Sequence, residues 1–247
     1  MRFTRIFTTQ LLTVGSEIVL NAEAAHHILR VLRLKQGEKL KLFNGENFEY
    51  IAGITYVNKN SVKVFVEEKT MVSIESPLNI HLAQAISRGE KMDYTIQKAT
   101  ELGVKSIVPI FTGHCNVILE GARLEKKVHH WQTIAINAAE QSGRCQVPKI
   151  YPAQQLTAWL MQANPGLKLA LCPKATTSIP KLIAGCAQSV NKITLLVGPE
   201  GGLTNDEIQS AKNCGFTAVN LGPRILRTET GALVAISILQ GLLGDLK

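Results

Sequence analysis

The chain has 247 residues, 45% hydrophobic and 19% charged, which excludes a disordered polymer and allows one large or two small domains with packed cores. Its formal net charge of +8 is spread along the chain, with 10 Lys/Arg against 7 Asp/Glu in residues 1–72 and 17 against 12 in the remainder. The excess is therefore no basic tail, and the field of such a surface favours a polyanionic partner, nucleic acid first.

The start carries Arg2 and Arg5, but Thr, Gln, Ser and Glu break up the apolar core a signal peptide needs, so it reads as the first strand of a cytoplasmic protein. No apolar run has membrane-spanning length. A period-two pattern predicts strands over 2–7, 39–43, 48–56 and 61–66, with Asn44-Gly45 as a hairpin signal and Asn58-Lys59-Asn60 as a second turn. One helix interrupts from about 22 to 32, capped by Asn21. Several short strands and one helix suggest a small β-barrel over 1–72. On the helix, Arg30 and Arg33 are three apart and share a face.

Residues 70–77, polar and ending in Ser-Pro, read as a linker. Beyond it strand and helix alternate. The pattern predicts a strand at 80–83, a helix at 91–102 closed by Gly103, a strand at 106–111 and a long helix at about 124–141. Short strands near 167–171, 193–197 and 218–221 follow, each trailed by helical sequence. This alternation predicts an α/β domain over 73–247 with a mainly parallel sheet, whose ligands bind at the carboxyl ends of the strands.

Three segments there carry candidate chemistry. Gly198, Pro199, Glu200, Gly201 and Gly202 follow an apolar strand that ends at Val197. No Lys-Ser/Thr pair follows the glycines and Glu200 repels anions, so this is neither a P-loop nor a dinucleotide fingerprint. Thr204 and Glu207 form a capping box that satisfies the next helix internally. Such a loop suits a neutral heterocycle bonded by backbone groups. The segment LGPRILRTETG (221–231) also joins a strand to a helix, with Thr228 as the expected cap and Glu229 in the first turn, where its charge suits the macrodipole. The third, AAEQSGR (138–144), ends the long helix at Gly143 and places Arg144 by its carbonyls. The five cysteines are scattered with no C-x-x-C pair, and no metal-ligand spacing is present.

Together with HHILRVLRLKQGE (26–38) and KATELGVKSIVPIF (98–111), these segments resemble the RsmE family, the 16S rRNA uridine N3-methyltransferases of the SPOUT class. The likeness runs over essentially the whole chain. It implies a PUA-like RNA-binding barrel followed by a SPOUT methyltransferase domain tied in a trefoil knot. Also implied are a homodimer, the small ribosomal subunit as partner, and S-adenosylmethionine as cofactor, with no metal. By motif match, Val197, Gly198, Pro199, Glu200, Gly201, Gly202, Leu221, Gly222, Ile225, Leu226 and Arg227 would line the methyl-donor pocket, with Leu171 and Cys172 ending the preceding strand. His114 and Gly231 stand where the family pattern leads us to expect Arg and Ala.

Uracil N3 is a weakly acidic imide nitrogen, so its proton must leave as the methyl group arrives. Glu229 and Glu140 are the candidate proton acceptors, and Arg227 and Arg144 the candidate stabilisers of the uracil anion. Arg2, Arg5, Arg30 and Arg33, with Arg88 and Lys91, are the expected phosphate contacts. Rival readings are a SPOUT enzyme with another RNA target and a non-catalytic ribosome-assembly factor.

Overall fold

A computed structural model describes residues 3–115, 119–162, 166–186 and 189–246. Two compact units divide the chain: Met1–Glu75 with Ala139–Val147, and Ser76–Ala138 with Pro148–Lys247. The return of 139–147 to the first unit is not visible in the sequence pattern.

The first unit holds strands β1 (Arg5–Phe7), β2 (Glu17–Val19), helix α1 (Ala22–His26), then β3 (Lys39–Phe43), β4 (Phe48–Val57) and β5 (Val62–Met71). They form a five-stranded sheet in the order β1-β3-β4-β5-β2. Alternation decides the faces: Val62, Val64 and Val66 are fully buried while their neighbours are not. Each such side chain contributes about 1.5–3 kcal/mol by leaving water. The β3–β4 turn has Gly45 at φ 91°, and in the β4–β5 turn the Asn58 side chain accepts from the amides of Asn60 and Ser61.

Three expectations need correction here. Thr70 and Met71 are not linker but the end of β5, paired with Glu49 and Phe48. Strand β2, Glu-Ile-Val, is too short for alternation to reveal. Asn21 does cap α1 by accepting from the Ala24 amide, but the helix continues over His27–Leu32 as a π-helix and ends at Arg33 with φ 54°. Its wider turn means that Arg30 and Arg33 do not have the spacing of an α-helical face, although both are exposed.

Residues 139–147 are held to this unit by charge. The Arg5 guanidinium donates to Glu49 Oε1 at 2.6 Å and to the carbonyls of Ala139, Glu140 and Arg144 at 2.8–2.9 Å, and it stacks over Phe43. Glu49 also receives Lys41. Burial raises the Glu49 pKa, but the two cations outweigh it and hold the group below the usual carboxylate range. Arg144, 4% exposed, forms an ion pair with Glu75 at 2.7 Å. One oxygen of Glu140 accepts from the Phe7 amide at 2.9 Å, and the other faces His27 Nδ1 at 3.5 Å.

The second unit holds β6 (Asn79–Ala85), α2 (Lys91–Glu101), β7 (Ser106–Phe111), α3 (Gly121–Ser142, its last residues counted with the first unit), β8 (Lys149–Ile150) and β9 (Gln154–Gln155). It continues through α4 (Leu156–Leu160), β10 (Leu167–Leu171), α5 (Ile179–Ala184), β11 (Lys192–Val197), α6 (Asn205–Asn213), β12 (Thr217–Val219) and α7 (Thr228–Leu243). Every strand pair is parallel, in the order β12-β10-β11-β6-β7-β8, with β9 also on β7. In β11, Ile193 to Val197 are all buried, as a strand covered on both faces requires. Positive φ at Gly103 (83°) follows α2 and at Gly143 (85°) follows α3, as expected for glycines that end helices. Among the described residues no helix is long and apolar enough to cross a membrane.

Candidate functional site

Strands β10, β11 and β12 lie side by side in the order β12-β10-β11, so the loops at their carboxyl ends fall together. The segment after β12 is tied to both of the others. Asn220 donates its amide to the Thr177 carbonyl at 2.9 Å and its side-chain nitrogen to the Ala175 carbonyl at 2.6 Å. Eight residues later, the Thr228 hydroxyl donates to the Gly198 carbonyl at 2.6 Å. The expected lining residues Leu171, Cys172, Val197, Leu221 and Leu226 are buried or half-buried there, whereas Ile225 is 88% exposed.

The glycine loop is closed to side chains by crowding at one position and by backbone conformation at another. A Cβ on Gly198 would sit 2.9 Å from the Leu203 nitrogen, and Gly202 adopts φ 72°. The Gly202 amide donates to the Pro199 carbonyl at 2.9 Å. Next in the chain, the expected capping box is present: the Thr204 hydroxyl accepts from the Glu207 amide, and a Glu207 oxygen accepts from the Thr204 amide at 2.8 Å. The second Glu207 oxygen accepts from the Gly113 amide at 2.7 Å. With its first turn satisfied, α6 offers the loop little anion-binding capacity.

His114 completes the loop's support. Its Nδ1–H donates to the Gly202 carbonyl at 3.0 Å, and a Cβ on Gly201 would come within 3.1 Å of its own Cβ. Glu200 forms an exposed ion pair with Lys91 at 2.8 Å. Partial burial raises the Glu200 pKa, but bonds from Lys91 and from backbone amides outweigh it and keep the group ionised. Lys91 is thus engaged with Glu200, while Arg88 is exposed nearby in the chain.

Thr228 is not the cap of α7. Arg227 occupies that position with an extended backbone and an exposed side chain, and Thr228 is the first helical residue. Its hydroxyl instead links two strands' ends: it donates to Gly198 and accepts from Gln84 Nε2 at 3.1 Å. Gln84, next to last in β6, is fully buried and keeps its Oε1 without a partner. Sequence reading missed it, although a glutamine within the apolar run of β6 was a usable signal. Glu229, in the first turn of α7, is half-buried and has one carboxylate oxygen, Oε2, buried without a hydrogen-bond partner. A buried acceptor left unsatisfied is uncommon in a folded protein, where most such groups are paired.

Glu140 and Arg144 belong to the first unit, where both side chains are committed to the contacts described above. Arg5, 11% exposed and spent on Glu49 and three carbonyls, has no guanidinium edge to offer a phosphate. Arg30 and Arg33 are exposed, and Arg2 lies outside the described residues.

Residues 74–240 match the family model described as an RNA methyltransferase domain, and residues 20–67 match an RNA methyltransferase PUA domain. Ribosomal RNA small subunit methyltransferase E of Buchnera aphidicola subsp. Schizaphis graminum is 37% identical, covering 99% of this chain and 98% of that protein. The protein of that name from Bacillus subtilis is 31% identical, covering 93% and 92%. Among solved structures, ribosomal RNA small subunit methyltransferase E of Neisseria gonorrhoeae bound to S-adenosylmethionine shares 37% identity at a TM-score of 0.89, with both chains fully covered. A Legionella pneumophila structure described as a methyltransferase with bound cofactor SAM shares 41% at 0.93, also over both full chains. The chain belongs to the ribosomal RNA small subunit methyltransferase E family.

Proposed function

We propose that this protein methylates N3 of a uridine in 16S rRNA, using S-adenosylmethionine held by the loops after β10, β11 and β12. The observation that carries the reading is that Asn220 is bonded to the loop after β10 and Thr228 to the loop after β11, while the next residue, Glu229, keeps a buried oxygen without a hydrogen-bond partner. S-adenosylmethionine supplies an electrophilic methyl group. The apolar walls of Leu171, Val197, Leu221 and Leu226 suit its adenine, and the glycine loop leaves backbone groups free of side-chain screening. The bonds that tie Asn220 to one loop and Thr228 to another support a chain passing between them, as a trefoil knot requires.

Glu229 Oε2 accepts the N3 proton, and the Arg227 guanidinium stabilises the negative charge that develops on the uracil oxygens. The N3–H bond breaks as N3 bonds to the methyl carbon, and the donor sulfur keeps the electron pair of the broken bond. Positioning supplies much of the remaining acceleration. Because N3 lies on the Watson–Crick edge, a paired uridine must first be extruded. Arg30 and Arg33 on the first unit, with Arg88 and Lys91 on the second, hold the RNA backbone. The working form in this reading is a cytoplasmic homodimer acting on the small ribosomal subunit.

The test is incubation of the protein with methyl-labelled S-adenosylmethionine and small-subunit rRNA lacking the modification, followed by nucleoside analysis. Label in 3-methyluridine is expected. Label in another nucleoside, or none, overturns the assignment.

A further inference from the structure

On the same unit, away from the glycine loop, a cavity of about 250 Å³ opens against the sheet. Its floor is a row of three polar residues on adjacent strands, Thr194, His81 and Ser106, in register with one another. Tyr151 and Trp159 supply aromatic walls, and the amides of Gln154 and Gln162, bonded to each other, close one side. Thr194 precedes Gly198 by four residues, so the row lies about 13 Å down the strand from the start of the glycine loop.

His81 Nδ1 is 2.7 Å from Ser106 Oγ, and its Nε2 is buried without a hydrogen-bond partner. Burial first, and then the positive charges of Lys192 and Lys105, hold this ring below its usual pKa, so it is neutral near pH 7. A neutral imidazole whose Nδ1 is engaged by Ser106 presents either a donor or an acceptor at Nε2. A nucleobase edge, which carries both, satisfies it in either tautomer. Lys105 and Lys192 are exposed on the strand ends nearest His81, where a nucleotide's phosphate finds positive charge. Aromatic walls, hydrogen-bonding amides and flanking lysines together are the chemistry of base stacking beside a phosphate.

We propose that this cavity is a second nucleotide site, which takes a nucleobase against His81 with its phosphate toward Lys105 and Lys192. The occupant is either an unstacked base of the RNA strand or a free nucleotide. The site is independent of the methyl-donor pocket.

The test uses the full chain and calorimetric titration with uridine and adenosine monophosphates, a uridylate pentanucleotide, and inorganic phosphate alone. At least one monophosphate is expected to bind, at least tenfold more tightly than inorganic phosphate, and to quench Trp159 fluorescence. His81→Phe, which keeps the ring shape, is expected to weaken that binding at least tenfold while S-adenosylmethionine affinity stays unchanged. Tyr151→Ala, at the 37% exposed rim, repeats the test without touching a buried group. If the pentanucleotide weakens in parallel, the occupant is a base of the RNA; if only the monophosphate weakens, it is a free nucleotide. Absence of binding by both ligands, equal binding of inorganic phosphate, or wild-type affinity in both variants overturns the proposal. Loss of S-adenosylmethionine binding by the wild type bears on the donor pocket alone.

Discussion

Arginine and glutamate are candidate charges in both units of this protein, with opposite results. In the first unit Arg5, Glu49, Arg144, Glu75 and Glu140 satisfy one another and the backbone, and little of any of them reaches solvent. In the second, Arg227 is exposed and Glu229 keeps a buried oxygen unpartnered. A charge that has found its partners within the chain is structure, whereas one that the fold has desolvated and left waiting is available for chemistry. In the proposed function, the same residue types therefore carry stability in one place and reactivity in the other.

The largest effect expected from this contrast is at Glu229. Glu229→Gln is isosteric and removes the proton acceptor, so single-turnover methylation should slow about 10²- to 10⁴-fold with the melting temperature unchanged. An unchanged rate removes Glu229 from the chemistry. Arg5→Ala should do the reverse. It leaves three carbonyls and part of Glu49 uncompensated, and urea unfolding should show a loss of about 3 kcal/mol, the low end for a broken buried pair because Lys41 stays on Glu49. A variant that keeps full stability but loses RNA affinity shows that Arg5 faces the ligand after all.

A third effect, of about 1 kcal/mol between pH 6.5 and 8, concerns pH. Burial raises the Glu140 pKa to about 7 against the opposing Phe7 amide and Arg5. Between about pH 4.5 and 7 the native state therefore keeps a proton that the unfolded chain has released, so this group's stabilisation is full below that window and is lost as pH rises through it. His27, which faces the same carboxyl, has its pKa lowered by burial and by His26, and its contribution is lost in the opposite sense, as pH falls below 6.5. Because the carboxyl is neutral up to about 7, it offers His27 no charge. Unfolding of the wild type should show lower stability at pH 8 than at pH 6.5, and Glu140→Gln should flatten that decline. An equal decline in the variant places its origin elsewhere.

The smallest effect is at Gly231, within α7. A Cβ there would meet Leu171 Cδ1 at 3.8 Å, an ordinary contact, so Gly231→Ala should raise stability by about 0.5–1 kcal/mol through helix propensity. A destabilised variant shows that the helix start needs the glycine's freedom.

What the sequence made legible follows the range of each interaction. The capping box at Thr204 and Glu207, the Asn21 cap and the glycines after α2 and α3 are settled within a few residues, and the pattern displayed them. The glycine loop was legible as a strand-to-helix turn because its strand and helix are contiguous with it. Thr228 was misread because its partners, Gly198 and Gln84, are 30 and 144 residues away. Arg5 misled for the same reason, since its carbonyl partners lie at 139, 140 and 144. The π-wound turn after α1 and the support that His114 gives Gly202 have no local signature.

The bond from Thr228 to Gly198 also sets an order of events. A nascent chain that has been made only as far as α6 already carries the glycine loop and its capped helix. It lacks the segment that bonds to the 175–178 loop and the hydroxyl that holds the Gly198 carbonyl. In the proposed reading, methyl-donor binding is thus an all-or-none property that arrives with residues 220–228, and a protein shortened before α7 keeps every glycine of the loop and still holds no cofactor.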